Sequence, residues 1–288
     1  ASEAIIQSYD WNNDQSEMAH AAANDLKLSI HPYVESTGWY YNWFNDNRWM
    51  WYADSSISTI ENAAFGYYNE QSKNWDEIAY LAPNYLIVKA AGNFRGLGPE
   101  TQPVAHWIPF YNNVNEAWEW KLSSTIRDIN GGDSGFETIS HSSLAKNILT
   151  IGNTFKLNGA YTQASDITIG TNSSYGPTDD GRIKPDISVP GQDLILATSS
   201  SNTGYTTSRG TSFASGVAAG IIADLQSFYT KLFTSNPSSS MIKSLVIQTA
   251  DEAGEFEGPD YKFGWGLMNA ERAARLLYNY SISNPLVF

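Results

Sequence analysis

The chain has 288 residues, 42% of them hydrophobic, no cysteine and a net charge of −13. That length and apolar content suit one large domain with a sizeable core. The acidic balance argues against nucleic acid, whose phosphates need a basic surface, and the missing thiols exclude disulfides, thiol catalysis and cysteine zinc sites. No run approaches the roughly 20 apolar residues of a transmembrane segment, so a soluble globular protein is expected, with a secreted or cell-surface address.

In chain order, short apolar runs predict strands at residues 4–8, 26–30, 85–90, 147–152 and 187–189. Runs of this kind suit a sheet covered on both faces. Between them lie helical patterns at 16–24, with Ser16 as the cap, at 74–81, at 211–229, the most apolar, and at 269–278. The alternation predicts an α/β layered fold with a mainly parallel sheet. Two stretches break it. Residues 38–52 are crowded with Trp39, Tyr40, Tyr41, Trp43, Phe44, Trp49, Trp51 and Tyr52 and show neither a helical nor a strand period; residues 99–115 read as a second surface insertion. The aromatic-rich insertion, about 38–75, is either a loop whose rings pack on their own scaffold or a recognition surface near the cleft.

The segment Arg209-Gly210-Thr211-Ser212-Phe213-Ala214-Ser215 opens the apolar helix. A serine at a helix start keeps its backbone N–H free, and the helix dipole favours negative charge there. That suits a nucleophile whose attack creates an oxyanion; an ordinary capping residue would show the same pattern. The stretch Ile87-Val88-Lys89-Ala90-Ala91-Gly92-Asn93 reads as a buried strand ending in small residues. Its terminal Asn is a turn residue or an amide donor to an oxyanion. Farther on stand Ser174-Tyr175-Gly176-Pro177-Thr178, Gly181-Arg182-Ile183-Lys184-Pro185-Asp186-Ile187, Pro190-Gly191 and Gly264-Trp265-Gly266-Leu267-Met268-Asn269-Ala270. No Gly-x-Gly-x-x-Gly follows the first strand and no phosphate loop occurs, which weakens a nucleotide-binding reading.

This ordered set, over roughly residues 1–275, resembles the subtilisin-like serine peptidases. The resemblance implies a single domain over 1–288 with a three-layer α/β/α fold. It implies Ser212 as nucleophile, Asn93 as side-chain oxyanion donor, and Ser29, His31, Tyr33, Ala90, Ala91, Gly92, Gly210 and Thr211 along a polypeptide substrate. Calcium is a common structural ion in the family; Asp133, Asp179 and Asp180 offer loop oxygens, but no spacing identifies a site.

The family's two other motifs, a strand ending in Asp and a helix opening His-Gly-Thr-His, come before these in the chain, and neither occurs here. Residues 1–9 resemble the strand that follows the histidine helix. The domain is therefore expected to be N-terminally incomplete, with Asp and His supplied by an upstream segment and with a strand from that segment, or from a partner, completing the sheet. Alone, residues 1–288 are expected to be inactive. None of the four histidines is placed to substitute: His20 lies on a predicted helix, His31 points into the core, His106 sits in an insertion and His141 just before residues 142–147. Pro32 removes a backbone donor from the segment that would pair with substrate, Val34 stands where the family has glycine, and Gly216 replaces its proline. These departures favour a second reading, a catalytically inactive scaffold used for binding or assembly.

Overall fold

The computed structural model describes residues 4–157 and 159–283. In chain order they form α1 (Asp14–Ala23), β1 (Leu28–His31), β2 (Gly38–Tyr41), β3 (Trp49–Tyr52), α2 (Glu70–Leu81), β4 (Leu86–Ala90), β5 (His106–Asn112), β6 (Ala117–Ser123), β7 (Leu149–Phe155), β8 (Ile187–Gln192), β9 (Leu194–Ala197), β10 (Tyr205–Ser208), α3 (Thr211–Phe233), α4 (Ser239–Gln248) and α5 (Ala270–Ser283). Strands β1-β4-β7-β8 lie side by side in that order, all parallel.

Alternation along β4 explains the layering, because successive side chains point to opposite faces. Leu86 and Val88 join Leu149, Ile151, Ile187 and Val189 against α3, α4 and α5. Ile87 turns the other way and packs with Met18, Trp75 and Ala79 of α1 and α2. The result is the expected α/β/α arrangement. Ala214 and Ala218 let α3 lie close on the sheet, and both are fully buried. Asn69 caps α2 by accepting from the Ser72 N–H at 3.0 Å, and Ser238 caps α4 through Met241 N at 3.1 Å. Asp186 locks β7 to β8: its carboxylate takes the Thr150 N–H at 2.7 Å and pairs with Lys184 and Lys243 at 2.7 and 2.9 Å. No helix among the described residues is long and apolar enough to cross a membrane.

Three expectations need correction. Residues 4–8 form no strand; Ile5 and Ile6 are 98% and 86% exposed. A strand needs a neighbour for its N–H and C=O groups, and among the described residues β1 pairs only with β4 and is a sheet edge. Helix α1 starts at Asp14, and Ser16 is inside it, donating its hydroxyl to Asn13 O at 3.1 Å instead of capping. Residues 38–52 are not an irregular loop. They hold the antiparallel pair β2–β3, and β3 runs parallel to β5, so the two insertions merge into one sheet of order β2-β3-β5-β6. Trp39, Trp51 and Ile108 form its buried centre. The Arg127 guanidinium lies 4.0 Å over Trp51 and donates to His106 Nε2 at 3.0 Å.

Candidate active site

The carboxyl end of β4 and the start of α3 meet at one point. Beyond Ala90 the chain passes through Gly92, at φ +116°, to Asn93. The Gly92 N–H donates to Thr211 Oγ1 at 3.1 Å. Thr211 in turn donates both its backbone N–H, at 2.9 Å, and its hydroxyl, at 3.3 Å, to Asn93 Oδ1. This fixes the amide: its oxygen is consumed, and its Nδ2 is the end left to donate. Gly210, at φ +143°, makes room for it, since a Cβ there would stand 3.2 Å from Asn93 Nδ2.

The first turn of α3 completes the arrangement. Gly210 O accepts from the N–H groups of Phe213 and Ala214 at 3.1 and 3.2 Å, and Thr211 N is taken by Asn93. The Ser212 N–H is left over, without a partner among the described residues. Ser212 is half-buried, and its hydroxyl likewise has no hydrogen-bond partner among the described residues. Two free donors, Ser212 N–H and Asn93 Nδ2, thus sit at the positive end of a 23-residue helix beside a free hydroxyl. Such an arrangement can stabilise negative charge developing on a carbonyl oxygen.

The other residues singled out in the sequence divide. Gly210 and Thr211 build this turn, and Ala90, Ala91 and Gly92 lead into it, with Ser143 Oγ donating to Ala90 O at 2.8 Å. Ser29, His31 and Tyr33 turn into the α1–α2 layer. Tyr85 O–H donates to Ser29 Oγ at 2.7 Å, the Ser29 hydroxyl meets His31 Nε2 at 2.9 Å, His31 Nδ1 meets Tyr33 Oη at 2.8 Å, and Tyr33 O–H donates to Asp14 at 3.0 Å. Followed in one direction, this chain of donors assigns His31 the Nδ1–H tautomer. Burial, and then the positive charge of Lys89, push the His31 pKa down to about 3.

Lys89 was not among the residues singled out. Its ammonium is buried, 4.1 Å over the Tyr33 ring, 4.8 Å over Trp75 and 3.8 Å from Glu35 Oε1. Burial lowers its pKa while Glu35 opposes the shift. Glu35 Oε1 also accepts from Gln71 and Ser142 at 2.7 and 2.6 Å. The signal was a lone lysine within the apolar run of β4.

Each imidazole is committed away from Ser212. His20 is exposed on α1 beside Asn24, His31 is in the chain above, His106 is hydrogen-bonded to Val104 O and Arg127, and His141 Nδ1 lies 3.4 Å from Thr37 Oγ1. Among the described residues no group of three or more acidic or imidazole side chains converges to hold a metal ion; Asp180 is engaged by Arg182 and Thr178. The insertion sheet abuts the site. Asn130 donates to Phe94 O at 3.0 Å and accepts from Trp39 N at 3.2 Å, and the Tyr40 ring lies 6.1 Å from that of Phe94.

Residues 28–266 match the profile of the subtilase family of peptidases. The chain is 30% identical over 179 residues to the serine protease AprX of Bacillus subtilis, covering 57% of this chain and 38% of that protein. It is 31% identical over 140 residues to the subtilisin-like protease SBT3.2 of Arabidopsis thaliana, covering 42% of this chain and 18% of that one. It therefore spans well under half the length of these curated relatives. Among solved structures, a lanthipeptide protease shares the fold at a TM-score of 0.55 and 17% identity, over 93% of this chain and 66% of its own. The prenylagaramide maturation protease PagA does so at 0.52 and 14%, over 95% and 70%.

Proposed function

We propose, for a chain that belongs to the subtilase family, that it is the nucleophile and oxyanion part of a serine endopeptidase. The carrying observation is the Thr211–Asn93 lock, which spends the amide oxygen and leaves Asn93 Nδ2 and the Ser212 N–H as free donors at the start of α3. In this reading Ser212 Oγ attacks the carbonyl carbon of a peptide bond, and the oxyanion forms against those two donors. The residues from 90 to 92 and the chain following β1 flank the substrate, a polypeptide, and would meet it through backbone groups, because the side chains of Ser29, His31 and Tyr33 are occupied in the α1–α2 layer.

A serine hydroxyl needs a base to be a nucleophile at neutral pH, and the four imidazoles are all engaged elsewhere. We assign the base and its orienting carboxylate to polypeptide outside residues 1–288, entering along β1. There the edge backbone is free on one side, and Ile30 and Val217 are exposed. Without a histidine, a site of this kind loses about 10⁶ in turnover and retains roughly 10³ to 10⁴ over water. A non-catalytic scaffold is the second reading, favoured by the commitment of every described imidazole away from Ser212. A secreted or cell-surface setting is part of the proposal and rests on the net charge of −13.

The test is hydrolysis of an unstructured polypeptide by the full-length gene product. Ser212→Ala should abolish it, and Asn93→Ala should lower kcat by about 10² to 10³. Undiminished hydrolysis by Ser212→Ala would remove the assignment.

A further inference from the structure

The insertion sheet has two unlike faces. Strand alternation and register put Trp39, Trp51, His106 and Ile108 on the face against the domain. Tyr52, Trp107, Tyr111, Trp118 and Trp120 fall on the other, where Tyr52, Tyr111 and Trp118 are 42%, 47% and 59% exposed. Scattered exposed rings are ordinary; contiguous ones mark contact surfaces.

These rings hold one another in place. Phe44 lies 5.6 Å from Trp107 and 5.2 Å from Trp120, Tyr52 lies 5.9 Å from Trp120, and Tyr111 lies 5.8 Å from its cross-strand partner Trp118. The Trp107 indole N–H is spent on Asp46 at 2.7 Å. A platform fixed in this way loses little side-chain freedom when something docks on it.

Charge says what docks. The segments 38–54 and 106–123 carry four carboxylates, Asp46, Asp54, Glu116 and Glu119, against two cations. Glu119 and Lys121 both lie on the opposite face, Lys121 at 4.8 Å over Phe110, and Arg48 is paired with Asp46 at 3.1 Å. Around the platform this leaves three carboxylates, Asp46, Asp54 and Glu116, against one cation, Arg48, which Asp46 already pairs, on a chain of net charge −13. Ring faces attract guanidinium and ammonium groups.

Position says where the ligand comes from. The inner strand β2 meets the residue after Asn93 through the Tyr40–Phe94 contact. Met50 and Gly38 of this face are buried, so its open part, on the end of β3 and on β5 and β6, is about 10 Å across and spans about three residues of extended chain.

We propose that this face is an exosite for the polypeptide substrate, gripping a segment rich in Arg or Lys among apolar residues, several residues away from the bond at Ser212. The proposal rests on the peptidase reading for the identity of the ligand, but its test reads binding alone. Fluorescence anisotropy would follow the 288-residue chain with a fluorescein-labelled peptide of about ten residues alternating Arg and Leu, and with its Glu-for-Arg counterpart. The Arg peptide should bind and the Glu peptide should not. Trp118→Ala combined with Tyr111→Ala should weaken binding at least about tenfold. Trp118→Phe, which keeps a ring, should stay near the parent, and Ser212→Ala should bind as the parent does. Equal affinity for the two peptides, or undiminished binding by the double variant, would overturn the exosite. So would self-association of the chain that Trp118→Ala abolishes, because the face would then belong to a second copy. Whether Ser212 reacts does not enter this measurement, so failure of the exosite and failure of the peptidase reading are told apart.

Discussion

Thr211 is the residue on which the site geometry turns. Its Oγ1 accepts from the Gly92 N–H and donates to Asn93 Oδ1, so one hydroxyl ties the end of β4 to the start of α3. Thr211→Val keeps the shape but leaves the buried Gly92 N–H unpaired, which costs about 1–3 kcal/mol. Urea unfolding should show that loss, with near-parent stability in Thr211→Ser, which retains the hydroxyl. Equal stability of all three proteins would mean that the tie carries no weight. His31 makes a pH prediction. Burial holds its folded pKa near 3, against an ordinary imidazole value of 6.5. Below pH 6.5 the unfolded chain takes up a proton that the folded one refuses, so stability present above pH 6.5 is lost as pH falls toward 3, at up to about 1.4 kcal/mol per pH unit. Unfolding midpoints between pH 6.5 and 4 should fall more steeply for the parent than for His31→Gln; parallel curves would contradict the assignment. Ser212, Asn93 and their glycines were legible in the sequence because small residues at a strand end and a helix start are local patterns. The Lys89–Glu35 pair and the donor chain from Tyr85 to Asp14 were not, since each joins positions tens of residues apart.

Among the strands of the main sheet, β1 is an open edge. Among the described residues its backbone pairs with β4 on one side only. In hydrogen exchange, its amides directed at β4 should be protected and those directed away should exchange freely, and a polypeptide that docks along the edge should protect the second set. Uniform protection across β1 in the isolated chain would mean the edge is already covered. The four strands of the main sheet could be read from their apolar runs, because burial on both faces erases polar positions. The run at 4–8 looked the same and failed, since an apolar run states what a strand needs and not whether its neighbour is present. The insertion sheet was hidden for the opposite reason. With Trp39 and Trp51 inward and Tyr52 and Trp118 outward, both faces are aromatic, and no period of two survives. Helix α4 carries its period in Met241, Ile242, Leu245 and Val246 behind the Ser238 cap.

At the scale of the whole molecule, a parallel sheet between two helical layers brings β4 and α3 together at the carboxyl edge, where ligands bind in such folds. The buried Asp186 trio ties the amino-terminal starts of β7 and β8 together. Burial works against its charge, but Lys184 and Lys243 keep the carboxyl below its ordinary pKa. On the peptidase reading, this frame presents Ser212 as a nucleophile awaiting a base from outside residues 1–288. The most direct measurement is labelling by an organophosphonate, with the modified residue read by peptide mass spectrometry. Modification is expected at Ser212 in the full-length protein, far less in the isolated 288-residue chain, and none in Ser212→Ala. Full-length protein that leaves Ser212 unmodified would contradict it, and the chain would then be a subtilase scaffold that keeps its serine without using it.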